Sequence, residues 1–179
     1  MNLPNKLTLL RVFMVPLYIG CFYLPYDWAI YAAAVIFILA YLTDVADGYI
    51  ARSRNLITTF GKFMDPIADK LLTASAIIML TSNGMMSPIA SIIIIAREFL
   101  ISGFRLVVAG QGVVIAANWL GKIKTVSQAV ALVMVMLQGV LRPLAGFSID
   151  VWAVWISVFF TVASAYEYMA KNKDYIQYK

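Results

Sequence analysis

The 179-residue sequence contains no histidine and a single cysteine, Cys21. These absences exclude a disulfide framework, a zinc site built from cysteine and histidine, and any mechanism that needs a histidine base. Charge is also scarce, because Asp, Glu, Lys and Arg make up only 13% of the chain, about half of the share in soluble domains. Apolar residues reach 63% instead. The composition therefore predicts an integral membrane protein.

Long apolar runs divide the chain into six candidate membrane spans. They cover Leu7–Tyr26, Trp28–Leu42, Ile67–Met86, Pro88–Ala109, Ile123–Leu141 and Val151–Ala170. Because several charge-free stretches are shorter than the roughly 20 residues that a bilayer requires, their charged ends must continue the helices. The predicted fold is all-α, a single membrane domain over residues 1–179 with six transmembrane helices.

The beginning of the chain is predicted to stay attached to the first span. Arg11 interrupts that span and no small-residue cleavage site follows it, which argues against a cleaved signal peptide. We expect the preceding stretch, Leu3–Thr8, to lie along the membrane interface as a short N-terminal segment.

Basic residues are distributed asymmetrically around the predicted spans. If the six spans alternate, Arg97 lies within one of them, Arg142 falls on one side, and the other twelve Lys and Arg residues fall on the opposite side. The positive-inside rule then predicts cytoplasmic termini and two cytoplasmic charged loops. The net charge of +5 indicates an anionic membrane surface or anionic substrates, and composition leaves both open.

Acidic residues cluster at the predicted cytoplasmic junction of the second and third spans. If the second span continues as a helix, Asp44, Asp47, Gly48 and Ala51 occupy positions i, i+3, i+4 and i+7 of one stripe. The stripe places two carboxylates beside two residues with almost no side chain. Such a face suits a bulky charged ligand that lies against the helix backbone.

A second carboxylate pair follows at Asp65 and Asp69, which are four residues apart. Two helices that each contribute two carboxylates form an oxygen-rich pocket for hard divalent cations, and two such ions can clamp a phosphoryl transfer. The alternative for Asp65 is an N-cap, with Pro66 at the first helical position. Both roles are compatible. Four carboxylates at membrane depth favour a functional site, because ionisable groups are costly there.

Eight residues within 26 positions match a known signature in residue type and spacing. They read Asp44-x2-Asp47-Gly48-x2-Ala51-Arg52-x8-Gly61-x3-Asp65-x3-Asp69. This pattern resembles the CDP-alcohol phosphotransferases, whose architecture is six transmembrane helices with the site at the cytoplasmic side. The resemblance implies that Asp44, Asp47, Asp65 and Asp69 bind two divalent ions, Mg²⁺ or Mn²⁺.

The same resemblance implies further roles. Asp69 is expected to act as the general base, and members are typically homodimers in the lipid bilayer. The residues expected to bind the CDP-diacylglycerol donor are Asp47, Gly48, Ala51, Arg52 and Gly61.

Three further segments narrow the resemblance to one branch of the family. They are Asn5-Lys6-Leu7-Thr8-x2-Arg11, Ala96-Arg97-Glu98-Phe99 with Arg105, and Gly121-Lys122-Ile123-Lys124-Thr125. These segments are similar to those of bacterial phosphatidylglycerophosphate synthases. The branch implies that a phosphatidyl group passes from CDP-diacylglycerol to sn-glycerol 3-phosphate at the bacterial cytoplasmic membrane, and that CMP is released. The phosphate of this acceptor requires cations, for which Arg97, Arg105, Lys122 and Lys124 are the candidates.

Alternatives remain open for these basic residues. Lys122 and Lys124 also fit ordinary positive-inside residues, and Arg97 also fits an ion pair with Glu98 or with an aspartate. Arg11 and Arg142 fit structural roles better than binding roles.

Two other functions are also compatible with parts of the sequence. One keeps the enzyme class and changes the acceptor to serine, inositol phosphate or phosphatidylglycerol. The other is a transporter of divalent cations or protons, which predicts acids spread along a transmembrane path. Here four of the aspartates lie together at the junction of the second and third predicted spans, which does not match that distribution.

Overall fold

The computed structural model describes residues 2–53, 58–110 and 119–173. Its seven helices within this part of the chain are α1 Leu3–Cys21, α2 Ala29–Ser53, α3 Thr59–Ser82, α4 Pro88–Gly110, α5 Trp119–Met136, α6 Gln138–Ala145 and α7 Ile149–Lys171. No strand occurs among these described residues, which confirms the all-α prediction. The helices form two compact units, Met1–Met85 and Met86–Lys179.

Three stretches are long and apolar enough to cross a membrane, among the helices that the structure describes: Ala29–Ala46, Trp119–Met136 and Ile149–Lys171. They correspond to the second, fifth and sixth predicted spans. Helices α1, α3 and α4 lie at the other three predicted spans, and charged side chains interrupt each of them.

The helices expose many large apolar side chains and bury a few charged ones. Large apolar side chains point outwards, as in Phe13, Leu100 and Leu106, which are 67%, 71% and 76% exposed. Arg11 and Asp150 are completely buried. An outer surface rich in large apolar side chains is the arrangement that a lipid environment favours. Together with the apolar helices, it identifies the chain as a membrane protein.

In the first unit, α1 packs against both α2 and α3. Helix α1 begins at Leu3 with Pro4 in its first turn, where proline is tolerated because no intrahelical partner is lost. Asn5 and Thr8 in the first two turns are buried. The predicted interfacial stretch Leu3–Thr8 therefore belongs to the same continuous helix as the first predicted span.

The beginning of α3 also differs from the sequence prediction. Thr58 is the N-cap, and its hydroxyl oxygen accepts a hydrogen bond from the Gly61 N–H. Asp65 is thus not an N-cap, and Pro66 lies inside α3. The N-cap alternative is wrong because the helix starts about two turns earlier, where threonine supplies a capping oxygen. Asp65 and Asp69 both lie within α3 as a result.

In the second unit, α7 packs against α4, α5 and α6. The fifth predicted span is divided, because α5 ends at Met136 and the short α6 follows. Gly146 ends α6 in the left-handed conformation, with φ of 73°, which glycine adopts without a steric penalty.

A bidentate ion pair joins α6 to α7. Arg142 donates to both carboxylate oxygens of Asp150, at 2.9 and 2.7 Å. The hydrogen bonds to this carboxylate raise the pKa of Arg142. Because Asp150 is buried and its charge is matched here, the structural role expected for Arg142 is confirmed.

Candidate functional site

The first half of the aspartate signature lies on one continuous helix. Helix α2 runs to Ser53, so Asp44, Asp47, Gly48 and Ala51 take the i, i+3, i+4 and i+7 positions of a helical stripe, as predicted. The backbone of this segment is described. The side chains of Asp47, Ala51 and Arg52 lie outside the described part of the structure.

The second half of the signature lies on α3, which contacts α2. Asp65 and Asp69 are one helical turn apart and partly exposed. Both Asp44 and Asp69 lie within electrostatic range of the Tyr41 hydroxyl. The structure thus brings carboxylates of the two helices near the same phenol.

Helix α1 supplies polar partners to two of these carboxylates. The Arg11 guanidinium Nη1 lies 2.6 Å from Asp44 Oδ1. The Thr8 hydroxyl donates to Asp65 Oδ1 at 2.7 Å. Arg11 and Thr8 are both fully buried, whereas the two carboxylates remain partly exposed.

A third polar contact from α1 reaches the start of α3. The Thr58 hydroxyl donates to Asn5 Oδ1 at 2.9 Å and accepts from the Gly61 N–H at 3.0 Å. A Cβ added at Gly61 would lie 3.2 Å from Asn5 Oδ1 and 3.7 Å from Asp65 Oδ2. Gly61 therefore permits close approach of α1 to the first turns of α3.

The donor set is suited to a hard divalent cation. Among the described side chains, no three acidic or thiol residues lie close enough to hold a metal ion by themselves. Mg²⁺, however, usually takes one or two protein carboxylates and completes its coordination with water and substrate phosphate. The carboxylates of Asp44, Asp65 and Asp69 provide this ligand type on two adjacent helices.

A basic cluster occupies the second unit. Arg97 of α4 donates from Nη2 to the Ser164 hydroxyl at 2.9 Å, and its Nη1 lies 3.8 Å from the Glu98 carboxylate. Glu98 also pairs with Lys124 of α5, whose side chain is buried. The ion-pair alternative for Arg97 is thus realised with Glu98, although the nearer partner is a neutral hydroxyl.

The other two candidate cations have different surroundings. Arg105 donates from Nε to the Tyr168 hydroxyl at 3.2 Å, and its guanidinium carbon lies 5.2 Å from the Tyr168 ring centroid. Lys122 is exposed and lies over the Trp119 ring at 5.3 Å. Lys122 and Lys124 therefore have separate environments, because positions two apart point to different sides of a helix.

The basic cluster consists of Arg97, Arg105, Lys124 and Glu98. Its three cations and one carboxylate give it a net charge of +2. Arg97 and Arg105 are close enough to affect each other electrostatically, and both hydrogen bonds just described end on neutral hydroxyls. An excess of positive charge of this kind favours the binding of an anion. The arrangement therefore suits a phosphate group.

A family model for CDP-alcohol phosphatidyltransferases matches residues 1–163 of the sequence. This chain belongs to the CDP-alcohol phosphatidyltransferase family. The match covers all eight signature residues and most of both helical units, which agrees with the resemblance inferred from the aspartates.

Curated relatives within the family are similar over almost their whole length. A protein of Bacillus subtilis named CDP-diacylglycerol–glycerol-3-phosphate 3-phosphatidyltransferase is 45% identical over 96% of this chain and 95% of its own. Proteins of the same name from Rickettsia felis and Shigella flexneri are 41% and 39% identical, over 97% and 90% of this chain and 97% and 87% of their own.

Sequence reasoning missed the contacts that several residues make with the predicted site of this family member. Asn5, Thr8 and Arg11 recur every three residues in a mainly apolar helix, a spacing that indicates one polar face. Ser164 and Tyr168 are likewise one turn apart on α7. In both helices, the signal was a polar stripe within a mainly apolar helix.

Proposed function

We propose that this chain transfers the phosphatidyl group of CDP-diacylglycerol to sn-glycerol 3-phosphate, forming phosphatidylglycerophosphate and CMP. The observation that carries the proposal is the 45% identity to a relative of that named activity over nearly the full length of both chains. The two clusters described above supply the two kinds of group that the reaction needs. Carboxylates suit a metal-bound pyrophosphate, and arginines suit the phosphate of the acceptor.

In the proposed reaction, the primary hydroxyl oxygen of the acceptor attacks the β-phosphorus of the donor. The new bond joins this oxygen to phosphorus, and the bond from phosphorus to the bridging pyrophosphate oxygen breaks. Asp69 accepts the hydroxyl proton, and CMP leaves with the electrons of the broken bond. General-base assistance of this kind contributes about 10²- to 10⁴-fold to a rate.

Asp44, Asp47, Asp65 and Asp69 are proposed to hold the divalent ions, Mg²⁺ or Mn²⁺. Such ions supply positive charge that neutralises the pyrophosphate and stabilises the leaving group. The donor would lie along the bare part of the α2 stripe, at Gly48 and Ala51, with Arg52 and Gly61 completing its pocket.

Arg97 and Arg105 are proposed to bind the acceptor phosphate, with Lys124 and Lys122 adding positive charge. A phosphate dianion would neutralise the net charge of +2 on the basic cluster. Ser164 and Tyr168 would hold the two guanidinium groups through the hydrogen bonds at 2.9 and 3.2 Å.

The proposed location is the bacterial cytoplasmic membrane, with six spans, cytoplasmic termini and a homodimeric assembly. The bacterial relatives and the twelve basic residues on one predicted side support this topology. A site at the cytoplasmic interface would let the acyl chains remain in lipid while the nucleotide stays in water.

The test is an acceptor panel with purified protein, CDP-diacylglycerol and Mg²⁺, in which CMP release is followed. We expect rapid release with sn-glycerol 3-phosphate and little with serine, inositol phosphate, phosphatidylglycerol or plain glycerol. Faster release with another acceptor would contradict the proposed acceptor and leave the reaction class in place. Absence of CMP release with every acceptor, in folded protein, would contradict the enzymatic function.

A further inference from the structure

The polar face of α1 contacts both halves of the aspartate signature. Asn5, Thr8 and Arg11 follow one another at three-residue intervals, and they are 7%, 0% and 0% exposed. Burying three polar side chains in a membrane protein is costly unless each one has partners. Two of the three contact carboxylates of the signature directly, and Asn5 contacts Thr58, the cap of the helix that carries Asp65.

We propose that Thr8 and Arg11 are positioning residues, which fix the orientation of the Asp65 and Asp44 carboxylates for divalent-metal binding. This inference rests on the proposed function, because it takes these two aspartates as metal ligands. Neither Thr8 nor Arg11 contacts the metal in this proposal. Each acts through the carboxylate that it contacts.

The hydroxyl of Thr8 is placed to select one orientation of the Asp65 carboxylate. Its hydrogen bond at 2.7 Å engages Oδ1, whereas Oδ2 lies on the side where a Cβ at Gly61 would be 3.7 Å away. A carboxylate without this bond would rotate among several orientations. Partners that orient a metal ligand typically affect metal affinity or activity by about 10- to 100-fold.

Arg11 has a second effect, which is electrostatic. Its guanidinium lies 2.6 Å from Asp44 Oδ1 and so offsets part of the repulsion among clustered carboxylates. A lysine would retain the charge and replace the planar guanidinium with a flexible point charge. Arg11→Lys is therefore expected to retain folding and to weaken metal binding.

The experiment measures Mn²⁺ binding to the purified full chain by electron paramagnetic resonance, with CDP-diacylglycerol present. Thr8→Val removes the hydroxyl at nearly constant volume, and Thr8→Ser retains it. We expect the Mn²⁺ concentration at half-saturation to rise about 10- to 100-fold in Thr8→Val and to remain within a few-fold of wild type in Thr8→Ser. Because metal binding is weakened and not abolished, the activity of Thr8→Val should recover in part at saturating Mg²⁺.

The matched control is Thr73→Val, which makes the same chemical change in the same unit. The Thr73 hydroxyl donates to the backbone carbonyl of Asp69 within α3, at 3.0 Å, and not to a carboxylate among the described residues, so its loss should leave Mn²⁺ binding unchanged. If Thr8→Val does not fold, Thr8→Ser and Thr8→Ala, which differ only by the hydroxyl, replace the comparison.

Asp65→Asn separates failure of the inference from failure of the proposed function. If Asp65→Asn weakens Mn²⁺ binding and Thr8→Val does not, Thr8 is not a positioning residue and the metal site stands. If Asp65→Asn leaves Mn²⁺ binding and activity unchanged, the proposed role of Asp65 fails as well. Unfolding temperatures are measured for all variants, because a purely structural Thr8 would change stability without changing the Mn²⁺ midpoint.

Discussion

The two helical units contribute candidate site residues of opposite charge. In Met1–Met85, the central polar groups are carboxylates that receive a hydroxyl and a guanidinium from α1. In Met86–Lys179, they are guanidinium groups that donate to hydroxyls of α7. The second unit also contains eight basic and four acidic residues, whereas the first has six and five. This contrast teaches that the excess of basic over acidic residues is larger in the second unit, four against one, and an anionic substrate would offset part of that excess.

The largest effect is expected from the carboxylates of the first unit. Asp69→Asn should lower the rate of CMP release about 10²- to 10⁴-fold, because it removes the proposed proton acceptor and a metal ligand together. Asp44→Asn, Asp47→Asn and Asp65→Asn should each remove most of the activity while the protein still inserts into membranes. The measurement is initial CMP release at saturating substrates.

Asp27→Asn is the control for these four substitutions, because Asp27 is exposed between α1 and α2. It should retain activity close to wild type. Near-normal turnover in any two of the four signature variants would contradict the proposed metal cluster.

A somewhat smaller effect is expected at Gly48, the position of the α2 stripe that has no side chain. Gly48→Leu fills the space in which we place the donor, and overpacking typically costs about 1–3 kcal/mol. Since each 1.4 kcal/mol is about a factor of ten, the apparent KM for CDP-diacylglycerol should rise about 10- to 100-fold. Gly20→Leu provides the control, because a Cβ at Gly20 meets no atom within 4 Å. Wild-type donor affinity in Gly48→Leu would mean that the nucleotide lies elsewhere.

Replacing the arginines of the second unit should impair use of the acceptor and leave donor binding unchanged. A charge-assisted hydrogen bond contributes about 1.5–3 kcal/mol, so Arg97→Ala or Arg105→Ala should lower kcat/KM for sn-glycerol 3-phosphate about 10- to 100-fold. Lysine should restore only part of the loss, because it lacks the planar fork of the guanidinium. The KM for CDP-diacylglycerol and the rate with plain glycerol, which lacks the phosphate, are measured in the same variants and should change much less.

Lys171→Ala is the charge-matched control for these arginine variants, since Lys171 is exposed and pairs with Glu167 one turn away. Lys171→Ala should leave the kinetic constants for both substrates unchanged. Equal losses for glycerol and sn-glycerol 3-phosphate in the arginine variants would assign Arg97 and Arg105 a structural role. The difference between the two units would then reflect packing rather than substrate charge.

Sequence patterns predicted the helical fold and the aspartate stripe because both follow from local periodicity. The i, i+3, i+4 and i+7 positions from Asp44 to Ala51 require only that α2 continues, which it does. The alternative start of α3 was misplaced because proline after Asp65 suggested a helix beginning there, whereas Thr58 caps the helix earlier. The contacts of Thr8 and Arg11 with the aspartates were also missed. Their contacts join residues 57 and 33 positions apart, which local spacing does not specify.

The smallest effect is expected for Gly61→Ala, at the contact between α1 and α3. Alanine improves helix propensity by about 0.8–1 kcal/mol relative to glycine. Its Cβ, however, would lie 3.2 Å from Asn5 Oδ1 and 3.3 Å from Thr58 Oγ1, and the Thr58 cap that it disturbs stabilises a helix by about 1 kcal/mol. These opposing contributions should nearly cancel, so the unfolding temperature should change little.

Activity should respond more than stability does in Gly61→Ala, because Asp65 lies one turn further along α3 and moves with it. We expect the rate of CMP release to fall by less than about tenfold. This loss is smaller than the one that typically follows when a group that orients a metal ligand is removed. Asn5→Ala combined with Gly61→Ala should recover part of the loss, because it removes the side chain that the new methyl group meets. A loss in Gly61→Ala as large as that in Asp65→Asn, without recovery in the double variant, would mean that the glycine makes room for the donor itself. Recovery would instead assign Gly61 to the packing of α1 against α3, and through it to the orientation of the carboxylates.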